Sequence, residues 1–231
     1  MSIIPAAVKT LNASRLRQIG HFRNFPAETQ ASVLSDLLFK ARETEWGRKH
    51  GYGSISGEQD FRSRVPVQTY EDFIPWMERL RNGETDLLWP GKIRWFAKSS
   101  GTTSAKSKFL PVTRESLEKC HYRGSKDCLA IYADNYPSTS IFPGKALILG
   151  GSHRISSDGG HALIGDLSAI LIENTPAWFE LVRTPKKEIA LLDDFERKIE
   201  LITKSTINQN VTSLSGVPSW FLTLIKYILS Y

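Results

Sequence analysis

The spacing of the apolar residues changes once along this chain, near residue 93, and that change limits the architectures open to it. Between Pro26 and Gly51, Val33, Leu34, Leu37, Leu38, Ala41 and the Glu45–Trp46 pair recur at intervals of three and four, the stripe of an amphipathic helix. The stretch closes in "TEWGRKHGYG", where Gly51 and Gly53 supply a stop. In "FRSRVPVQTYEDFIPWMERLRNGE" a short extended piece precedes a helix expected to begin near Tyr70 to Asp72 and to break at Gly83 and "WPG". From Ile93 the runs turn short and apolar or alternating: "IRWFA", "KFLPV", "KALILGG" and "NVTSLSG" read as strands. Helical patterns separate them: one after Thr113 running to about Tyr132, with Leu117, Cys120, His121, Gly124, Cys128, Ile131 and Tyr132 expected on one face, then "DDFERKIELITKST" and "VPSWFLTLIKYILSY". Strands alternating with helices predict an α/β fold. The expectation is a mainly helical N-terminal region over residues 1–92, then a mixed, mostly parallel sheet with flanking helices over 93–231, the first part of an α/β domain. The last helix is apolar and the sequence stops within it, which suggests the first part of something longer.

Composition sets few further limits. The 231 residues are 41% hydrophobic and 23% charged, ordinary for a globular chain long enough to bury a core. The net charge of +6 is spread along the sequence, without the concentrated basic face of a nucleic-acid binder. Anionic small molecules fit it as well. Cys120 and Cys128 fall two helical turns apart, about 12 Å along the axis, too far for a disulfide. Buried or half-buried free thiols in a reducing compartment are expected. No secretory leader is visible, and no run reaches the roughly 18 apolar residues of a membrane span. The sequence therefore reads as cytoplasmic, without a membrane or nucleic-acid partner.

The most distinctive stretch is "SSGTTSAKSKFLPVT", residues 99–113. Ser99, Ser100, Thr102, Thr103, Ser104 and Ser107 offer hydroxyls, Gly101 lets the backbone approach a ligand, and Lys106 and Lys108 bring positive charge. Short donors converging beside a cation are what a phosphate group requires. The bland alternative is a polar surface loop. A Walker loop does not fit: Ala105 stands where the second glycine belongs, the spacing is one residue short, and the chain continues into a strand containing Pro111 rather than into a helix.

The strand–loop–strand setting resembles the phosphate loop of the adenylate-forming superfamily. Six segments in order, "TEWGRKHGY", "FRSRVPVQTYEDF", the loop itself, "ALILGGSHRI", "IGDLSAIL" and "LSGVPSWF", are similar to the bacterial branch of the auxin-responsive acyl-acid amido synthetases, the Gretchen Hagen 3 family. The resemblance runs from about residue 30 to the end and implies the N-terminal part of such an enzyme. It implies ATP-dependent activation of a carboxylic acid as acyl-AMP, then transfer to an amine or amino acid, with Mg²⁺ sharing the charge on pyrophosphate. By family position Ser99, Ser100, Gly101, Thr102 and Thr103 would hold the β- and γ-phosphates. Lys108 would be the loop lysine, with Lys106 and Ser107 beside it. Ser104 and Ala105 depart from the glycines common in relatives at these positions. The adenine motif, the ribose-binding aspartate and the small C-terminal domain do not occur in the sequence, so partnership with a missing C-terminal half is implied. Two rivals stand beside this reading: a CoA ligase of the phenylacetate type, and a non-catalytic piece that binds only a ligand or partner.

Other residues carry weaker signals. His153, with Ser152 before it, follows a strand on a loop of the kind that faces ligands, or is a surface histidine. Arg123 follows the loop on a helix, where it could meet a substrate carboxylate or simply be solvated. Val217 and Pro218 fall at a helix start that lines the acyl pocket in relatives; the plain alternative is a strand-to-helix turn. Asp193, Asp194 and Glu196 read as a solvated helix start, and the histidines lack metal-ligand spacing, so no metal site is expected. No G-x-S-x-G elbow marks a serine hydrolase.

Overall fold

The computed structural model describes residues 3–99, 107–151, 156–158 and 161–231. Five helices come first: α1 (Ile3–Asn24), α2 (Pro26–Ala41), α3 (Glu45–Lys49), α4 (Glu58–Arg64) and α5 (Tyr70–Arg81). Strands β1 (Trp95–Ser99) and β2 (Lys108–Val112) follow. Next, α6 (Arg114–Ser116) runs through a π-helical turn, Leu117–Tyr122, into α7 (Arg123–Asn135). The remainder is β3 (Lys145–Leu149), β4 (Ser156–Asp158), β5 (Ala162–Gly165), α8 (Leu167–Glu173), a 3₁₀ turn at Ala177–Leu181, β6 (Arg183–Thr184), α9 (Lys187–Ala190), α10 (Phe195–Thr206), β7 (Val211–Gly216) and α11 (Pro218–Ser230).

The chain divides into two compact units. One comprises Ser14–Thr113 with Ser157–Leu163. Its helices begin where local chemistry dictates. Pro26 opens α2 with its φ already set. The Thr44 hydroxyl accepts the Gly47 N–H (3.0 Å) at the head of α3. The Thr69 N–H and hydroxyl both donate to the Asp72 carboxylate (2.8 Å each) at the head of α5. Those bonds hold the Asp72 carboxyl below its usual range, the backbone bond contributing most. Trp46 is buried with Phe73 and Trp76 around it, and Arg79 binds the Glu45 carboxylate in a two-pronged pair (2.9 and 2.7 Å). β1 and β2 pair antiparallel, in a sheet ordered β2-β1-β5-β4.

The other unit comprises Met1–Ala13, Arg114–Ser156 and Ile164–Tyr231. Its sheet is parallel, ordered β6-β3-β7. Side chains alternate across β3. Leu147 and Leu149 pack with Ile199 and Ile202 of α10 and with Phe221 and Leu224 of α11. Ile148 points the other way, against Ala169 and Ile172 of α8 and Ala190 of α9. Helices thus cover both faces, as a parallel sheet requires.

Two expectations are corrected. Cys120 and Cys128 are free but exposed. The apolar face drawn through Leu117, Cys120, His121, Gly124, Cys128, Ile131 and Tyr132 is not the packed one: Leu117, Ala130 and Ala133 are buried, while Ile131 and Tyr132 are exposed. The cause is the π turn, whose extra residue rotates everything after it relative to a regular helix. Among the described residues, no helix is long and apolar enough to cross a membrane.

Candidate functional site

Two features deserve the name of site, one in each unit. The first is the root of the hydroxyl-rich loop. The β1–β2 register pairs Ser99 with Lys108, so the two ends of the loop face each other across the hairpin. Ser99 ends β1, Ser107 sits just before β2, and Lys108 opens β2. The expected phosphate contacts at Ser100, Gly101, Thr102, Thr103 and Lys106 lie outside the described residues. The Lys108 ammonium rests 5.2 Å from the centroid of the Tyr70 ring. The Tyr70 hydroxyl accepts the Phe109 N–H (2.7 Å) and donates to the Phe109 carbonyl (3.2 Å). The loop returns to a strand, so the helix N-terminus that a Walker loop uses to bind phosphate is absent from this hairpin.

The second is a cavity of about 480 Å³ in the parallel-sheet unit, a size suited to a small organic molecule. Ala146 and Ile148 form its floor. One wall is α8 and the turn after it: Ser168, Leu171, Ile172, Trp178 and Phe179. Another wall is the end of the π turn, His121 and Tyr122, with Ser125, Lys126 and Leu129 of α7 after it. Gly150 and Gly216, at the carboxyl ends of β3 and β7, complete the rim, where ligands of parallel α/β sheets bind. A Cβ on Gly216 would lie 2.3 Å from the Leu149 carbonyl oxygen, so only glycine lets these strand ends approach so closely.

Polar groups fix the rim rather than crowd the interior. The Tyr122 hydroxyl donates to the Leu171 carbonyl (2.9 Å), and burial pushes its phenol up to about 12. The Gly151 N–H donates to the Ser168 hydroxyl (2.9 Å). A Cβ on Gly151 would lie 2.4 Å from an Asp166 carboxylate oxygen. Buried Lys198 reaches the carbonyls of Gly150 and Gly151 (3.4 Å each). Desolvation lowers its pKa, and Asp193 and Asp166 partly oppose the shift. Arg183, also buried, pairs with Glu180 of the 3₁₀ turn that carries Trp178 and Phe179.

The sequence-predicted acyl-pocket residues fall as follows. Arg123 is exposed at the start of α7 and is not among the cavity-lining residues, although Tyr122 beside it is. Val217 is exposed at the N-cap of α11 and Pro218 is exposed at its first position; the lining stops at Gly216. Ser152 and His153 lie outside the described residues. The wall built from α8 and Trp178 was not foreseen. Its signal was the segment "IGDLSAIL", read only as part of a resemblance. Among the described residues, no group of three or more His, Cys, Asp or Glu side chains could hold a metal ion.

A parallel sheet with helices on both faces and an apolar cavity at its strand ends, beside an antiparallel hairpin, make this an α/β fold. The solved GH3.15 acyl acid amido synthetase superposes with a TM-score of 0.75 at 24% identity, covering 93% of this chain and 38% of that one. The chain belongs to the GH3 family: the GH3 family N-terminal domain profile matches residues 15–226. A second solved structure, AtGH3.15 acyl acid amido synthetase in complex with 2,4-DB, gives a TM-score of 0.65 at 25% identity, covering 88% of this chain and 36% of that one. Indole-3-acetic acid-amido synthetase GH3.2 of Arabidopsis thaliana is 29% identical over 118 residues, 51% of this chain and 22% of that protein. The chain therefore spans well under half the length of the relatives it matches.

Proposed function

We propose that this chain is the N-terminal part of an ATP-dependent amido synthetase that activates a carboxylic acid as acyl-AMP and passes the acyl group to an amine or amino acid. The observation that carries the reading is the loop of hydroxyls, glycine and lysines rooted on an antiparallel hairpin in a chain of the GH3 family. ATP is a substrate in this reading, supplying the adenylyl group and leaving as pyrophosphate and then AMP.

The donor set suits a polyphosphate. Hydroxyls of Ser99, Ser100, Thr102, Thr103 and Ser107 can donate, Gly101 leaves the backbone open, and Lys106 and Lys108 neutralise charge. No side chain in this set needs to act as a nucleophile, because the attacking group is the acid's own carboxylate. The loop's part is positioning and electrostatics. Mg²⁺ is expected to accompany ATP. Among the described residues, no group of three or more His, Cys, Asp or Glu side chains gathers to bind it. The apolar cavity suits the hydrophobic body of the acid, with Trp178, Phe179 and Ile148 excluding water. The acid named with the solved relative, 2,4-DB, is a reasonable first probe.

The test is carboxylate-dependent exchange of pyrophosphate into ATP across a broad panel of acids. Adenylation by this chain is rejected if no acid supports exchange. Lys108→Ala combined with Ser100→Ala should weaken ATP affinity by about tenfold or more, the scale of charge-assisted hydrogen bonds. Unchanged affinity and turnover would reject the phosphate assignment.

A further inference from the structure

Tyr70 stands outside the loop, at the first residue of α5, yet it grips the loop's root in two ways. β2 is an edge strand. In an antiparallel pair the N–H and C=O of one residue point to the same side, so alternate residues face away from the partner strand. Phe109 is such a residue, because both its polar groups bond to the Tyr70 hydroxyl (2.7 and 3.2 Å). Pro111, two residues on, faces the same way and has no N–H to leave unpaired. The tyrosine thus satisfies the outward-facing donor and acceptor nearest the loop. Its ring meanwhile lies under the neighbouring cation, with the Lys108 ammonium 5.2 Å from the centroid.

The grip is itself anchored. The Thr69–Asp72 bonds fix the first turn of α5, immediately beside Tyr70. At the far end of the same helix the Arg81 guanidinium lies 4.5 Å from the centroid of the Phe109 ring. One helix therefore contacts residue 109 from both its ends, next in sequence to Lys108.

We infer that Tyr70 is a positioning residue for Lys108: it fixes the root of the loop and presents the lysine ammonium to the polyphosphate of a nucleoside triphosphate. The inference rests on the phosphate reading given above. Tyr70 touches no phosphate; it acts through Lys108.

The experiment measures ATP affinity of the full chain by titration calorimetry for the parent, Tyr70→Phe, Tyr70→Leu, Lys108→Ala and the two double variants, with thermal midpoints recorded for each. Tyr70→Phe keeps the ring and loses the hydroxyl; the expected loss is about three- to tenfold. Tyr70→Leu also loses the ring and should cost about a further two- to fivefold. In the Lys108→Ala background both losses should shrink to below about twofold, because the tyrosine works through the lysine. A merely structural tyrosine would lower the thermal midpoint and give losses that add in full to that of Lys108→Ala. Full additivity, or unchanged affinity in Tyr70→Leu while Lys108→Ala weakens binding, overturns the inference and leaves the phosphate reading standing. If Lys108→Ala has no effect, or the parent does not bind ATP, the phosphate reading falls and takes the inference with it.

Discussion

The hairpin root and the cavity solve different problems with different materials. At the hairpin, the proposed phosphate donors are ten consecutive residues of the sequence, and the fold contributes two strands and one tyrosine at their ends. At the cavity, capacity is apolar surface gathered from β3, β7, α8, the turn after it and the helix after the π turn. Polar groups there, such as Tyr122, Lys198 and Ser168, are spent on carbonyls and amides of the rim. Polar recognition needs a local, donor-dense segment. Apolar recognition needs distant segments brought together by a core.

The largest effect should come from separating the two. Ala146→Phe places a ring on the cavity floor. It should weaken binding of 2,4-DB by about tenfold or more, the free-energy scale of overpacking, and leave ATP affinity unchanged. Calorimetric titration of each ligand checks this, and an equal loss for both would show that the two features do not bind separately. Next in size is stability. Leu224 is fully buried beneath the parallel sheet, so Leu224→Ala should cost about 2–5 kcal/mol. Leu110 on the hairpin is 48% exposed, so Leu110→Ala should stay within about 0.5 kcal/mol. Urea denaturation measures both, and similar costs would show that burial at these two positions does not set their contribution to stability. The smallest effect concerns acid. Asp72 has a folded pKa below its unfolded value, so its contribution is present above the unfolded value and is lost as pH falls through the folded one. Thr69→Val removes the hydroxyl bond and keeps the backbone bond. Unfolding on acidification, followed by circular dichroism, should move to slightly higher pH; no movement would mean the hydroxyl adds nothing.

The same contrast explains what could be read in advance. The start of α5 at Tyr70, the strands at 95–99, 108–112, 145–149 and 211–216, and helices α10 and α11 follow from period, caps and breakers within short windows. The hydroxyl-rich loop stood out because its chemistry is contiguous. The cavity did not, because its walls meet only after the sheet has formed. β6 is two residues long and the 3₁₀ turn is five, too short for a periodic signal. The π turn at Leu117–Tyr122 breaks the regular period on which the helix-face reading rests, so Leu117 is buried as expected while Ile131 and Tyr132 are exposed.

The capped edge of β2 has a consequence for how copies of this chain meet one another. A free edge strand is a template on which a second molecule can add its own strand. On β2 the outward positions are occupied: Phe109 is bonded to Tyr70, and Pro111 has no N–H to offer. The contact between Tyr70 and Phe109 therefore also denies that edge to intermolecular pairing, so that loss of the Tyr70 hydroxyl would expose the chain to self-association at the very strand that carries Lys108.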